Sequence, residues 1–261
     1  MNIHYNIYQI MTEAQFNRYN NLHIFAKEWR KYKVVSNAVD LSTFRNTMQT
    51  EEYIVIKCVN TAELREVFIY LIEPESKYAK TTQEIKKILN KVKGTMDKNR
   101  SADVIFVTYQ PFNIYGKKAI ASSEFIHLNI YTYLHEIFDM ILPNGPLCYP
   151  HRIMSRSEVL NLCNNELYCY VENLPKIYDE DPQCIWIGAK GGNVIEIKMS
   201  SDISGTTYQY RTVIPKNGRI IYAKNLEKKV EPEEIEDTEP EEDPILDIDD
   251  NDDDDSVDHD E

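Results

Sequence analysis

Lysine and arginine vanish after Lys229, while 19 of the 43 acidic residues lie from Glu231 onward. The formal net charge of −14 therefore conceals a body with 24 acids against 29 bases and a purely acidic tail. A segment so charged and so poor in apolar residues repels itself and has nothing to bury, so 231–261 is expected to be disordered, behind a linker at 217–230. The mildly basic body permits contact with nucleic acid without requiring it. No C-x-x-C pair occurs among Cys58, Cys148, Cys163, Cys169 and Cys184. Their odd number suits reduced thiols inside a cell and argues against both a disulfide framework and a zinc site. No apolar run approaches the roughly 20 residues that span a bilayer. Met1–Ile10 mixes polar and apolar residues where a secretory leader needs a basic stretch and then an apolar core. A phosphate loop of the form G-x-x-x-x-G-K-S/T, a G-x-S-x-G nucleophile elbow and an H-E-x-x-H frame around His127 or His135 are all missing. The expectation is an intracellular protein with no membrane span, no cofactor, no resident metal and no nucleophile of its own.

What is present divides into two α/β regions. Thr12-Glu13-Ala14-Gln15 has the form of a capping box, and Phe16, Tyr19, Leu22, Ile24, Phe25 and Trp29 follow at three- and four-residue spacing. That pattern predicts a first helix running to about Lys33 with one core-facing stripe. Tyr53–Val59, Val67–Ile72 and Asp103–Tyr109 are dense in Val, Ile, Phe and Tyr and read as strands of one sheet. Between the last two, Thr81-Thr82-Gln83-Glu84 opens a helix carrying Ile85, Ile88, Leu89 and Val92, so strand, helix and strand form a crossover. Pro143-Asn144-Gly145-Pro146 interrupts both helix and ladder and marks a boundary. Beyond it, Ser155-Arg156-Ser157-Glu158 caps a short helix with Val159, Leu160 and Leu162, and the strand candidates are Cys184–Ile187, Asn193–Met199 and Tyr208–Ile214.

The densest run of motifs lies between Leu174 and Arg211: Leu174-Pro175-Lys176-Ile177, Asp181-Pro182, Gly188-Ala189-Lys190-Gly191-Gly192, Ser204-Gly205 and Tyr210-Arg211. Read from the residues, Leu174 and Ile177 flank Pro175 as an apolar, stiffened hook under a small sheet, and Asp181-Pro182 suits a turn. Gly188, Gly191 and Gly192 allow tight hairpin backbone or close approach by another chain. In order and spacing the stretch resembles the assembly domain of the fifth subunit of eukaryotic RNA polymerases, a domain shared with the corresponding small subunit of archaeal RNA polymerase. The resemblance is strongest from Pro150 to Arg211 and fainter at Phe106-Val107-Thr108-Tyr109-Gln110.

That resemblance implies an α/β chain, α+β overall. A jaw domain at 1–142 would resemble an endonuclease-like open sheet, and a small mixed α/β assembly domain would occupy 143–216. It further implies a non-catalytic subunit of a DNA-directed RNA polymerase, docked on the largest subunit beside the sixth. The docking residues it implies are Pro175, Gly188, Lys190, Gly191, Gly192, Ser204, Tyr210 and Arg211. Tyr210 serves either as a rigid anchor, with Arg211 as a bidentate partner, or as part of this domain's own core. The jaw would lie near downstream double-stranded DNA. The family's contact loop matches Asn113-Ile114-Tyr115-Gly116-Lys117-Lys118, where Lys117 and Lys118 would meet phosphates with little sequence preference.

The chain also departs from the family, which often carries basic residues where Gly191 and Glu196 stand, and its Pro150-His151 is one residue shorter than the usual Pro-x-His. These departures suit a divergent copy from a large DNA virus, and abundant Ile, Asn, Lys and Tyr beside only 8 glycines suit an AT-rich genome. A viral copy would occupy the virion and host cytoplasm, a cellular one the nucleus. Two other functions stay open. Glu196-Ile197-Lys198 is an E-x-K that a strand would place on one face, and with Asp181 it has the composition of a Mg²⁺-dependent nuclease site. Charge alternation on a solvated strand face produces the same tripeptide without chemistry. A free acidic regulator acting through the tail is the remaining reading.

Overall fold

Apolar runs rich in β-branched and aromatic residues form the larger of two sheets: β1 (Lys33–Val34), β2 (Tyr53–Asn60), β3 (Arg65–Ile72), β4 (Ala102–Thr108) and β5 (Leu128–Leu134), in that spatial order. The computed structural model describes residues 2–72, 82–95, 101–146, 148–201 and 205–216. The linker, the acidic tail, Ser204 and the Thr81 cap lie outside the described residues. Strands β1, β2 and β3 are antiparallel, whereas β3, β4 and β5 run parallel, with Ile69 beside both Ile56 and Ile105. The first parallel step carries α3 (Thr82–Thr95), the crossover that the strand, helix, strand order predicts.

Every residue of β4 is buried, as a parallel strand covered on both faces must be. Alternation along the strands sorts the side chains. Ile56, Ile69, Leu71, Ile105 and Val107 enter a core shared with α1 (Asn2–Ile24) and α2 (Leu41–Glu51). Phe68, Tyr70, Val104 and Phe106 enter another, against Ile85, Ile88, Leu89 and Val92 of α3. The first helix differs from expectation at both ends. It starts at Asn2, so Thr12 is an interior residue with a buried side chain and not a cap. Beyond Ile24 it widens into a π-type turn at Phe25–Trp29 and stops short of Lys33.

The smaller sheet holds β6 (His151–Ile153), β8 (Val194–Ser201), β9 (Gly205–Ile214) and β7 (Lys176–Tyr178), in that order, with β7 parallel to β9 and the other pairs antiparallel. One face is covered by α5 (Arg156–Asn161) and the turn after it, through Val159 and Cys163 packed with Leu174, Val194 and Tyr210. The other face is covered by α6 (Pro182–Ile187), through Cys184 and Ile187 against Ile195, Ile197 and Val213. The α5 start is the capping box that the sequence predicts.

Cys184–Ile187, expected as a strand, is helical. Asp181 accepts from the Gln183 N–H at 2.9 Å, Pro182 occupies the first turn, and Gly188 ends the helix at φ +79°. An N-cap, an N1 proline and a C-terminal glycine override a short apolar run whose periodicity cannot separate strand from helix. The helix also joins the sheets. Trp186 has no exposed surface; its ring meets Phe25 at 5.5 Å and Phe138 at 5.7 Å, and its Nε1–H donates to the Ile137 carbonyl at 2.9 Å.

Candidate functional site

The hairpin of β8 and β9 outruns its flanking strands. β6 pairs only with Ile195–Ile197 and β7 only with Thr212–Ile214, so the outer ends of β8 and β9 project beyond both. At the root of the hairpin, on the α5 face, lies a groove of about 360 Å³ lined by Arg152, Glu158, Glu166, Glu196 and Tyr210 together with Met154, Ser157, Asn161 and Leu162.

Arg152 organises that groove. Its Nη1 donates to Glu158 Oε1 at 2.7 Å, and its Nη2 and Nε both reach Glu196 Oε1, at 3.0 and 3.2 Å. Glu158 also closes the capping box, accepting from the Ser155 N–H at 2.7 Å. These bonds, the Ser155 backbone first, then its hydroxyl and the Arg152 guanidinium, hold the Glu158 carboxyl down to about 2. A carboxyl depressed in the folded state adds stability that is complete above its unfolded value and is lost as pH falls toward the folded one. Glu158→Gln should therefore flatten part of the fall in the urea midpoint between about pH 4.5 and 2, and an unchanged pH profile would count against this bond set.

Tyr210 belongs in part to this domain's own core. It is half-buried against Cys163 and Leu174, and it also lines the groove, where burial and then the charges of Glu196 and Glu166 push its phenol up. Arg211 shares the opposite face with its cross-strand partner Ile195, is half-buried, and forms no ion pair among the described residues. Pro175 is exposed at the start of β7, and its carbonyl accepts from the Thr212 N–H at 2.8 Å.

Ser204 lies outside the described residues, and Gly188, Lys190, Gly191 and Gly192 have partners within the chain. A Cβ on Gly188 would stand 2.7 Å from Arg30 Nη1. Lys190 Nζ lies 3.6 Å from Glu63 Oε1. Gly191 lies against the Pro215 ring, and Gly192, at φ +91°, bonds to the Val213 carbonyl at 2.9 Å, closing a tight turn in which the Asn193 N–H meets the Lys190 carbonyl. The structure thus places Pro175, just before β7, beside the stretch of β9 that carries Tyr210 and Arg211, and turns the glycines inward. Arg152 and Glu158 stand outside the expected set; the capping box names Glu158, but its pairing with Arg152 carries no local sequence mark.

Lys117 and Lys118 stand on a helix and not on the expected loop. Asn113 accepts from the Gly116 N–H at 2.8 Å and starts α4 (Ile114–Ile120), and Gly116 packs where a Cβ would press on Phe112 and Ile85. Both lysines are exposed, beside exposed Ile114 and Tyr115. Of the nuclease trio, Glu196 and Lys198 share a face of β8, but Glu196 is engaged by Arg152, while Asp181 caps α6 on the other side of the sheet. Among the described residues no group of three or more His, Cys, Asp or Glu is placed to hold a metal ion, and no helix is long and apolar enough to cross a membrane.

Residues 146–213 match the family model described as RNA polymerase Rpb5, C-terminal domain. The DNA-directed RNA polymerase subunit Rpo5 of Thermococcus kodakarensis is 41% identical over 64 residues, which are 24% of this chain and 77% of that protein. The subunit of the same name from Thermococcus celer is 39% identical over the same shares, and that of Methanocaldococcus jannaschii is 36% identical over 24% of this chain and 81% of its own length.

Proposed function

This chain belongs to the fifth-subunit (Rpo5/Rpb5) family of archaeal and eukaryotic RNA polymerases, whose members are non-catalytic, and from that premise we propose that its smaller sheet docks on the largest polymerase subunit, near the sixth. One observation carries the reading. The matched residues 146–213 run from before β6 to within one residue of the end of β9, so the shared part takes in all four strands of the smaller sheet with its projecting hairpin. Of the expected docking set, Pro175, Tyr210 and Arg211 form the contact, because the glycines and Lys190 are occupied within the chain. The larger sheet, with no counterpart in that match, faces downstream DNA through Lys117 and Lys118. The relatives named above are archaeal, and no observation speaks for the viral source that the departures from the family pattern suggested.

Affinity capture of the tagged chain from its native source should retain the two largest polymerase subunits in stoichiometric amounts through high salt. Recovery of the chain alone would remove the reading. Tyr210→Ala with Arg211→Ala should lower incorporation by about 30-fold, the effect of losing one interface hot spot of ~2 kcal/mol. In the assembled polymerase, Lys117→Glu with Lys118→Glu should reduce the slope of log affinity for DNA against log salt by about 2.

A further inference from the structure

Among the described residues the outer edge of β9 is open from Thr206 to Tyr210, and a proline leaves it so. Backbone groups alternate along a strand, and the direction of each is fixed here by its neighbours. The Val213 N–H donates to Asn193 and its carbonyl accepts from Gly192, so Val213 and Arg211 turn their backbone toward β8. The Thr212 N–H donates the other way, to Pro175. By the same alternation the N–H and carbonyl groups of Thr206, Tyr208 and Tyr210 point away from β8, and among the described residues none of them has a backbone partner. The parallel ladder with β7 begins at Lys176 opposite Thr212. Its next rung would need an N–H from residue 175 to the Tyr210 carbonyl, and proline has none. The chain then leaves the edge in the 3₁₀ turn Val171–Asn173.

Six backbone groups without a backbone partner among the described residues, at strand spacing over about 17 Å, form a template that folded proteins normally cover, charge or pair. The charges on its two faces differ. On the Ile195 face Arg211 lacks a carboxylate among the described residues. On the Tyr210 face the groove sets Glu158, Glu166 and Glu196 against the single Arg152, and half-exposed Tyr208 stands beside it.

We propose that this edge, Thr206 to Tyr210, is completed by an extended strand of the polymerase partner. That strand carries an acidic residue facing Arg211 and, on its other face, an arginine or lysine lying over Tyr210 at the mouth of the groove. The inference rests on the docking reading above and gives it a geometry. Main-chain pairing supplies affinity, and the two oppositely charged faces set register and exclude segments of the wrong pattern.

Amide hydrogen exchange tests it on the full chain, free and in purified polymerase. The amides of Thr206, Tyr208 and Tyr210 should exchange fast in the free chain and at least a hundredfold more slowly in the complex. Equal exchange in a complex that stays intact would overturn strand pairing while leaving subunit identity standing; failure to recover any complex would fall on the docking reading itself. Protection already present in the free chain also overturns the proposal, showing a second copy if it fades on dilution and another segment of the same chain if it does not. Tyr208→Pro read against Tyr208→Ala gives an independent arm, since both lose the ring and the proline alone also loses the N–H that points off the sheet. The proline should weaken retention in polymerase by about tenfold or more relative to the alanine with protection along β8 unchanged, and equal retention of the two would count against the edge.

Discussion

Replacing Trp186 by alanine is expected to lower the unfolding free energy of the full chain by about 3–5 kcal/mol, the range for a large aromatic lost from a rigid core. The side chain is fully buried, it touches Phe25 and Phe138 through ring contacts, and its one polar atom is bonded to the Ile137 carbonyl. Truncation leaves a cavity between the sheets and strips that carbonyl of its donor. Those walls belong to α6, to the turn after α1 and to the segment after β5, so no single element can collapse into the void. Trp186→Phe should recover part of the loss by refilling the space without restoring the hydrogen bond. Urea midpoints of the three proteins make the comparison. A loss under about 1 kcal/mol for the alanine variant would mean that the contact between the sheets contributes little to stability.

Gly188→Ala is expected to cost about 2–5 kcal/mol, although alanine is ordinarily the mildest of replacements. Two effects add. At φ +79° a residue with a Cβ pays about 1–2 kcal/mol for the left-handed conformation. That Cβ would also stand 2.7 Å from Arg30 Nη1, the atom that donates to the Ile185 carbonyl at 3.1 Å, and disturbing this bond adds about 1–3 kcal/mol. Swinging the guanidinium aside also breaks its Nε bond to the Tyr32 hydroxyl. A double-mutant cycle with Arg30→Ala separates the parts, since the conformational cost survives the loss of Arg30 and the steric cost does not. Strict additivity in that cycle would show that Arg30 yields freely.

Legibility in the sequence followed the range of the interactions. β4 and α3 were readable because each signal is local: an unbroken apolar run in one, and Ile85, Ile88, Leu89 and Val92 at helical spacing in the other, all of them buried. The Ser155 capping box needed only four residues and was found complete. Cys184–Ile187 went the other way because its composition favours a strand while its ends, Asp181, Pro182 and Gly188, favour a helix, and in six residues the ends win. The loop expected at Lys117 and Lys118 comes from the resemblance alone, whereas the local sequence carries a helix: Asn113 caps it, and the small size of Gly116 lets α4 lie against Phe112 and Ile85. At the candidate site, Pro175, Tyr210 and Arg211 lie within one run of motifs. Arg152 escaped because its partner Glu196 is 44 residues away, a pairing that only the β6–β8 register brings about.

The connection between the two sheets has a mechanical consequence. Most polypeptide joints between structural units are slack, and each unit then chooses its own orientation. Here the route from the hairpin to the larger sheet passes through the Lys190–Asn193 turn, whose Gly192 is bonded to β9, and then through the six residues of α6, whose Trp186 is sunk in the core of the larger sheet. This is a strut and not a tether. Whatever grips the hairpin also aims the larger sheet, and a torque on either end is felt at the other.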